Sequence, residues 1–181
     1  MKKLITALMI QTVVATSVFA LDLTDKQAVG ITGGYAIPVG AEAFKREADG
    51  GPAYGAYYRK HFGPNWGMDV AYTKQHYSKI CSCTDSDIFD VMGFYRLKGV
   101  EDMTPVFGLG LGAVDNGPHQ NLHLGVRARA GMVKSYNEKF DMGLIVDYQS
   151  ISKMIGANKG PVPGNISTIT PKLELTWYFG K

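Results

Sequence analysis

The residues of this sequence that could do chemistry are charged side chains placed at every second position of otherwise apolar segments. Arg127 and Arg129 alternate with valine and alanine, and Asp141 and Asp147 keep the same phase in the next segment. Because successive side chains of a β-strand point to opposite faces, each set shares one face of its strand. The set predicted on this face is Arg59, Asp69, Asp90, Arg96, Arg127, Arg129, Asp141, Asp147, Lys172 and Glu174.

This set contains five cationic and five anionic residues, so its charges balance. If this face lines a narrow, poorly solvated interior, the charges must pair, because an unpaired buried charge has a steep desolvation cost. A fixed network that fills and stabilises the interior is the interpretation we favour. The alternative is a switchable gate, in which Arg127 or Arg129 exchanges carboxylate partners and opens a thin path for ions.

The other polar residues are poorly arranged for catalysis or cofactor binding. Of the histidines His61, His76, His119 and His123, only His123 is predicted in a strand beside charged neighbours, and no serine follows it closely. The glycine run Gly108–Gly112 lacks the spacing and the following helix of a phosphate-binding loop. We therefore expect no catalytic residues, no cofactor and no enzyme activity.

The two cysteines, Cys81 and Cys83, lie in a polar Cys-Ser-Cys segment. In an oxidising compartment they could close a small, strained ring or pair with another chain. Two thiolates could also contribute to a metal site, but such a site normally needs four ligands, and no second cluster accompanies them. We expect a loop disulfide or free thiols, and no metal.

The first 20 residues have the pattern of a cleaved secretory signal peptide. Lys2 and Lys3 form a positive start, Leu4–Phe19 is mostly apolar, and Ala20 is a small residue at the expected cleavage position. An uncleaved membrane anchor is the weaker alternative, because the apolar run is short. We expect residues 21–181 to be the mature chain, one domain that functions outside the cytoplasm.

Composition narrows the classes of partner. The formal net charge of +3 falls to +1 when Lys2 and Lys3 are removed with the leader, so nucleic acid is not an expected partner. Apolar residues make up 45% of the chain and charged residues 19%, proportions that argue against a disordered protein.

From residue 28 onward the hydrophobic pattern has a period of two, which predicts strands and not helices. The predicted strands are 28–39, 52–62, 66–75, 88–97, 104–113, 121–134, 139–149 and 166–179. Short turns alternate with longer polar connections at 40–51, 76–87, 114–120 and 150–165. This alternation is typical of bacterial outer-membrane barrels. The predicted fold class is all-β: a single up-and-down antiparallel transmembrane β-barrel of about eight strands.

Volume decides which face of the strands points outward. An eight-stranded barrel has an interior just wide enough for its own side chains or one small ligand. One face carries bulky residues such as Trp66, Phe89 and Leu144, whereas the opposite face is rich in glycine. The bulky face should therefore contact lipid, with aromatic belts near both strand ends. A secreted barrel with its apolar face inward is the alternative.

Three segments carry a family resemblance. Thr104–Ala113 combines a proline, an aromatic residue and alternating glycines, Gly33–Pro38 has the form of a first strand, and Leu173–Phe179 ends on aromatic residues. In these features the chain resembles the OmpA/OmpX-like and opacity-type outer-membrane β-barrels. The resemblance implies the barrel fold, insertion by the barrel assembly machinery and a location in the bacterial outer membrane.

Two functions are compatible with such a barrel. The first is a structural and surface-interaction role with a plugged lumen, in which long loops, above all 76–87 and 150–165, contact other cells, host factors or lipopolysaccharide. The second is a narrow pore for small ions or solutes. The barrel itself is expected to contact outer-membrane lipid and lipopolysaccharide. Complete pairing of the lumenal charges would occlude transport, whereas a persistent file of water would conduct.

Overall fold

Eight β-strands form the regular structure of the described chain. The computed structural model describes residues 23–39, 49–77, 85–98, 103–116, 122–151 and 166–180. The strands are β1 (Gln27–Pro38), β2 (Gly51–His61), β3 (Trp66–His76), β4 (Asp85–Arg96), β5 (Met103–Asn116), β6 (Leu122–Asn137), β7 (Phe140–Ile151) and β8 (Ile166–Phe179). Within the described ranges, no helix has the length and apolar character needed to cross a membrane.

The strands close into a barrel. Each pairs antiparallel with the next, and β1 pairs with β8. Closure gives the backbone of every strand two partners and leaves no open sheet edge. The connections 62–65 and 138–139 are short and mark the short-turn end; the opposite end, where β1, β3, β5 and β7 finish, is the long-loop end. The predicted all-β, up-and-down barrel is confirmed.

The observed strand bounds differ from the predicted ones by at most three residues. β4 begins at Asp85, three residues before the predicted start, and β5 continues to Asn116, three residues past the predicted end. In these extensions the outward positions carry Asp85, Asp87 and Asp115. The outward positions are therefore no longer apolar although the strands continue. For this reason the hydrophobic pattern predicted strands that were too short.

The outer surface of the barrel is apolar. Its exposed side chains include Val29, Ile31, Tyr58, Val70, Val91, Leu109, Leu111, Val126, Leu144, Val146 and Leu173. Leu109, Leu111 and Leu144 are each 69% exposed, a surface that would promote association in water. Such a band matches the hydrocarbon region of a bilayer. The chain is therefore a transmembrane barrel, and the alternative with an inward apolar face is wrong.

Aromatic residues flank the apolar band at both ends. At the short-turn end the rings of Phe62 and Trp66 lie 5.1 Å apart between centroids. At the long-loop end the rings of Tyr72 and Phe89, on neighbouring strands, lie 5.0 Å apart. Aromatic rings at these two levels, among them the amphipathic rings of Trp66 and Tyr72, anchor a barrel at both membrane interfaces. The predicted aromatic belts are confirmed.

Glycine on the inner face makes room for larger residues. The ring of Tyr57 lies over Gly30, so that a Cβ added to Gly30 would lie 2.3 Å from Cζ of Tyr57. The Tyr57 hydroxyl forms a 2.5 Å hydrogen bond with Oγ1 of Thr176 on β8. Gly33 points outward, and a Cβ added there would meet nothing within 4 Å. Gly30 and Gly33 therefore differ in how tightly their surroundings are packed.

Gly30→Ala should destabilise the barrel by about 1–3 kcal/mol, because the added methyl group displaces the Tyr57 ring and overpacks the lumen. Gly33→Ala is the matched control on the outer face and should stay within about 0.5 kcal/mol of wild type. Urea unfolding of the refolded protein in detergent micelles measures both. Equal unfolding curves for the two variants would contradict the packing argument.

The candidate functional site in the barrel lumen

The ten charged residues predicted for the inner face all lie in the lumen and are buried. They are Arg59 on β2, Asp69 on β3, Asp90 and Arg96 on β4, Arg127 and Arg129 on β6, Asp141 and Asp147 on β7, and Lys172 and Glu174 on β8. β1 and β5 contribute none of the ten, and their inner faces carry glycines such as Gly34 and Gly110. These small residues leave room for the long side chains of the other strands.

Arg59 and Asp69 form a bidentate pair between neighbouring strands. Nε of Arg59 donates to Oδ1 of Asp69 at 2.7 Å, and Nη2 donates to Oδ2 at 2.8 Å. The same guanidinium lies 3.5 Å from Oε2 of Glu174 and over the rings of Phe94 and Tyr57, 4.6 and 4.9 Å from their centroids. Ion pairing and stacking together fix its plane.

Arg129 connects carboxylates from three strands. Its Nε donates to Oδ1 of Asp147 at 2.9 Å, and its Nη1 donates to Oδ2 of Asp69 at 2.9 Å. Nη1 also lies 3.2 Å from Oε1 of Glu174. Asp147 is the register partner of Arg129 on β7, whereas Asp69 reaches it across the lumen from β3.

Asp147 is ion-paired with three cationic residues. Besides Arg129, its Oδ2 accepts a hydrogen bond from Nη2 of Arg127 at 2.5 Å and lies 2.7 Å from Nζ of Lys172. Arg127 also donates to Asp90 on β4, and Lys172 lies 3.4 Å from Oε1 of Glu174. Each cation of this group therefore contacts two carboxylates or more.

These contacts join eight residues into one connected group, the central cluster. Its members are Arg59, Asp69, Asp90, Arg127, Arg129, Asp147, Lys172 and Glu174. Four cations face four carboxylates, so the cluster is neutral as a whole. In a low-dielectric interior such pairs are strong, and they are costly to break singly. Chemically, the cluster can link strands and block the passage of ions.

Arg96 and Asp141 form a separate group toward the short-turn end. Nη1 of Arg96 donates to Oδ2 of Asp141 at 3.0 Å and to the Tyr178 hydroxyl at 2.8 Å. That hydroxyl in turn donates to Oδ2 of Asp141 at 2.7 Å. The predicted ten-residue set is thus divided into the central cluster and this smaller triad.

Apolar layers lie above and below the central cluster. The buried residues Phe94, Val106, Val133 and Ile145 form one layer, in which Ile145 lies between Asp141 and Asp147 along β7. Toward the long-loop end, a second apolar group consists of Ile88, Val114 and Ile151. The lumen is therefore filled in layers, with charge enclosed between hydrocarbon.

Several buried residues of the lumen were not predicted. Tyr57 and Tyr178 form hydrogen bonds within the lumen. Each lies an even number of residues from an inward charged residue of its strand, Arg59 or Glu174, so the period of two could have predicted both. Besides His76, which ends β3 with Nδ1 at 2.7 Å from Oδ1 of Asp85, His61 corrects the expectation that only His123 would lie in a strand beside charges. It is fully buried at the end of β2, with its ring 5.1 Å from Phe94 and 5.8 Å from Tyr178 between centroids.

Some predicted features lie outside the described residues. These are Cys81 and Cys83, His119, the signal peptide at residues 1–20 and most of each long loop. The expectations about a loop disulfide, a leader and loop contacts stay predictions.

Comparison with known proteins finds similarity of fold. No protein-family model and no curated protein matches the sequence. The crystal structure of Neisserial surface protein A aligns at a TM-score of 0.66 and 14% identity, over 84% of this chain and 97% of that chain. The N-terminal β-barrel domain of Pseudomonas aeruginosa OprF aligns at 0.57 and 12%, over 88% and 100%. Ail, the attachment invasion locus protein of Yersinia pestis, aligns at 0.51 and 14%, over 86% and 99%.

This chain has the fold of the small outer-membrane barrels. The three compared structures align with this chain over nearly their whole length, so each of them consists almost entirely of the shared barrel fold. The likeness confirms the resemblance predicted from the sequence at the level of fold. Together with the apolar outer band, it supports location in the bacterial outer membrane. The expectation that the protein is not an enzyme stays a prediction.

Arg59→Ala should lower the free energy of unfolding by about 3–5 kcal/mol, because Asp69 and Glu174 lose a buried cation. The neighbouring Lys60→Ala removes an ion pair with Asp25, whose carboxylate is largely exposed, and should change stability by less than about 1 kcal/mol. Urea unfolding in micelles compares the two. Similar losses for both variants would show that burial of the central cluster does not govern stability.

Proposed function

We propose that the protein is a structural and surface-interaction barrel of the outer membrane, with a lumen that is closed to solutes. The observation that carries the proposal is the central cluster, in which four buried cations and four buried carboxylates are connected across the lumen. An ion that entered would have to break several of these pairs at once. Because the cluster contacts six of the eight strands, it also makes the barrel a rigid support.

A rigid barrel displays its long loops at a fixed position on the cell surface. Connections of this kind tolerate variation and often carry binding residues. Two of the similar structures are described as a surface protein and as an attachment invasion locus protein. We extend this role to the present chain, with the segments 76–87 and 150–165 as the contact surfaces for other cells, host factors or lipopolysaccharide.

A second candidate function is a narrow pore for small ions. Within the described residues, Oδ1 of Asp90, Nε of Arg127 and Oε1 of Glu174 are buried without a hydrogen bond, although Oε1 of Glu174 is ion-paired with Arg129 and Lys172. All three atoms belong to the central cluster, and water would satisfy them. A continuous file of such water would make the lumen conductive.

Single-channel recording in a planar bilayer distinguishes the two functions. If the central cluster is a plug, the wild-type protein should be silent, and the double variant Arg127→Ala, Arg129→Ala should conduct, because two side chains that cross the lumen are removed. Lys134→Ala, Lys139→Ala is the matched control, since it removes two exposed cations outside the lumen and should stay silent. Steady, ion-selective conductance of the wild type would make the pore the primary function.

The surface role has its own test. Replacing residues 152–165 by a short glycine-serine segment should reduce adhesion of expressing cells to a host-cell layer, because a proposed contact surface is removed. Replacing the short turn at 138–139 in the same way is the control and should leave adhesion unchanged. Heat-modifiable migration on a gel checks that both variants form barrels. Equal adhesion by the loop variant and the wild type would count against the surface role.

A further inference from the structure

A tight turn precedes β1 at the short-turn end of the barrel. It consists of residues 23–26 and is called here the Leu23 turn. The amide of Lys26 donates to the carbonyl of Leu23 at 2.9 Å and closes the turn. Asp25 has a φ of 62°, in the left-handed region that few residues other than glycine adopt. This conformation reverses the chain and directs Leu23 back toward the barrel.

The side chain of Leu23 is buried inside the end of the barrel. Leu23 is 2% exposed and packs with Ala28 of β1 and Tyr178 of β8. The side chains of both partners point into the lumen, because they continue the inward alternation of their strands. Leu23 therefore enters the lumen beside the first and last strands and places hydrocarbon at its short-turn end.

Contacts with β2 hold the Leu23 turn in place. The backbone amide of His61 donates to the carbonyl of Lys26 at 3.0 Å. Nζ of Lys60 donates to the carbonyl of Asp25 at 2.9 Å and lies 3.6 Å from Oδ1 of the same residue. The turn is therefore tethered to β2, while its apolar tip packs against β1 and β8.

The same end of the lumen contains a histidine whose ring makes no hydrogen bond. His61 is fully buried, and within the described residues neither of its ring nitrogens has a hydrogen-bond partner. The ring contacts that of Tyr178, which is also the partner of Leu23, at 5.8 Å between centroids. A neutral imidazole has one donor and one acceptor, and burying both unbonded is unfavourable compared with contact with water.

The charged groups near His61 are engaged elsewhere. Arg59 forms its bidentate pair with Asp69, and Arg96 donates to Asp141 and to the Tyr178 hydroxyl. Oδ1 of Asp141 is buried without a hydrogen-bond partner, as the ring nitrogens of His61 are, within the part of the chain that the structure describes. Polar groups at this end of the lumen would therefore gain from water, and Leu23 covers the side from which periplasmic water would enter.

We propose that the Leu23 turn is a stopper that closes the periplasmic entrance of the lumen and shields His61 from solutes. Leu23 is its apolar tip, and the hydrogen bonds from Lys60 and the His61 amide hold it in place. The stopper is poised to open, because hydration of the His61 ring and relaxation of Asp25 both favour its release, whereas burial of Leu23 opposes it. It is independent of the central cluster, which lies deeper in the lumen.

Chemical labelling of the full chain, refolded in detergent micelles, tests the stopper. Diethyl pyrocarbonate acylates accessible imidazoles, and peptide mass mapping measures each histidine separately. In the wild type, His61 should stay unlabelled while the partly exposed His76 reacts. Leu23→Ala should raise the labelling rate of His61 by roughly tenfold or more, because truncating a buried leucine removes packing that keeps the turn closed. Leu23→Met, which preserves the volume, should restore the wild-type rate.

Val114→Ala is the matched control, since it truncates a buried apolar residue toward the opposite end of the lumen and should leave His61 unlabelled. Lys60→Ala removes one tether and no buried apolar group, so it tests the proposal even if Leu23→Ala fails to show heat-modifiable migration. It should raise the labelling rate of His61 by roughly threefold, the effect of losing one hydrogen bond.

Three outcomes would overturn the proposal: rapid labelling of His61 in the wild type, an unchanged rate in every stopper variant that forms a barrel, or an equal increase in Val114→Ala. The labelling rate reports access from the periplasmic end and does not depend on conductance. Failure of the stopper is therefore distinguishable from failure of the proposed function.

Discussion

The narrow lumen of a closed eight-stranded barrel is the constraint on which the rest of the structure depends. In a membrane the backbone must find all its partners within the sheet, so the strands close and no edge remains. Closing only eight strands leaves an interior that its own side chains must fill. Most bulky apolar residues are therefore placed outside, and a large side chain inside needs a small residue beside it to make room. Gly30 beneath the Tyr57 ring shows how closely that space is fitted.

Charge in such a lumen has to be organised as a network. Arg129 illustrates this, because it contacts Asp147 on the neighbouring strand and Asp69 across the lumen. Losing any one member would leave its partners charged and buried, which costs far more than losing an exposed pair. The apolar layers around Ile145 and Ile88 separate the central cluster from both ends. A lumen built in this way holds strands together, and the closure to solutes that we propose would leave function to the outer surface and the loops.

The sequence predicted the strands and the inward set because both follow from a period of two. It could not predict the partners within the lumen, because those depend on how far each strand is displaced along the barrel. Asp69 pairs with its register partner Arg59, yet it also reaches Arg129, three strands away. Arg96 and Asp141 were included in the predicted set only because they occupy inward positions. Their positions along the strands show that they form a separate triad with Tyr178.

The misplaced start of β4 is caused by polar residues at outward positions of the strand. A barrel strand is recognised by apolar residues at outward positions, and Asp85 and Asp87 violate that rule while remaining paired with His76 and Lys74 on β3. Places where a local rule fails without loss of structure are often functional. Outward carboxylates beside Tyr72 would be costly in hydrocarbon and are tolerated at the polar membrane interface. The failure of the pattern therefore locates the membrane interface at the long-loop end of β3 and β4.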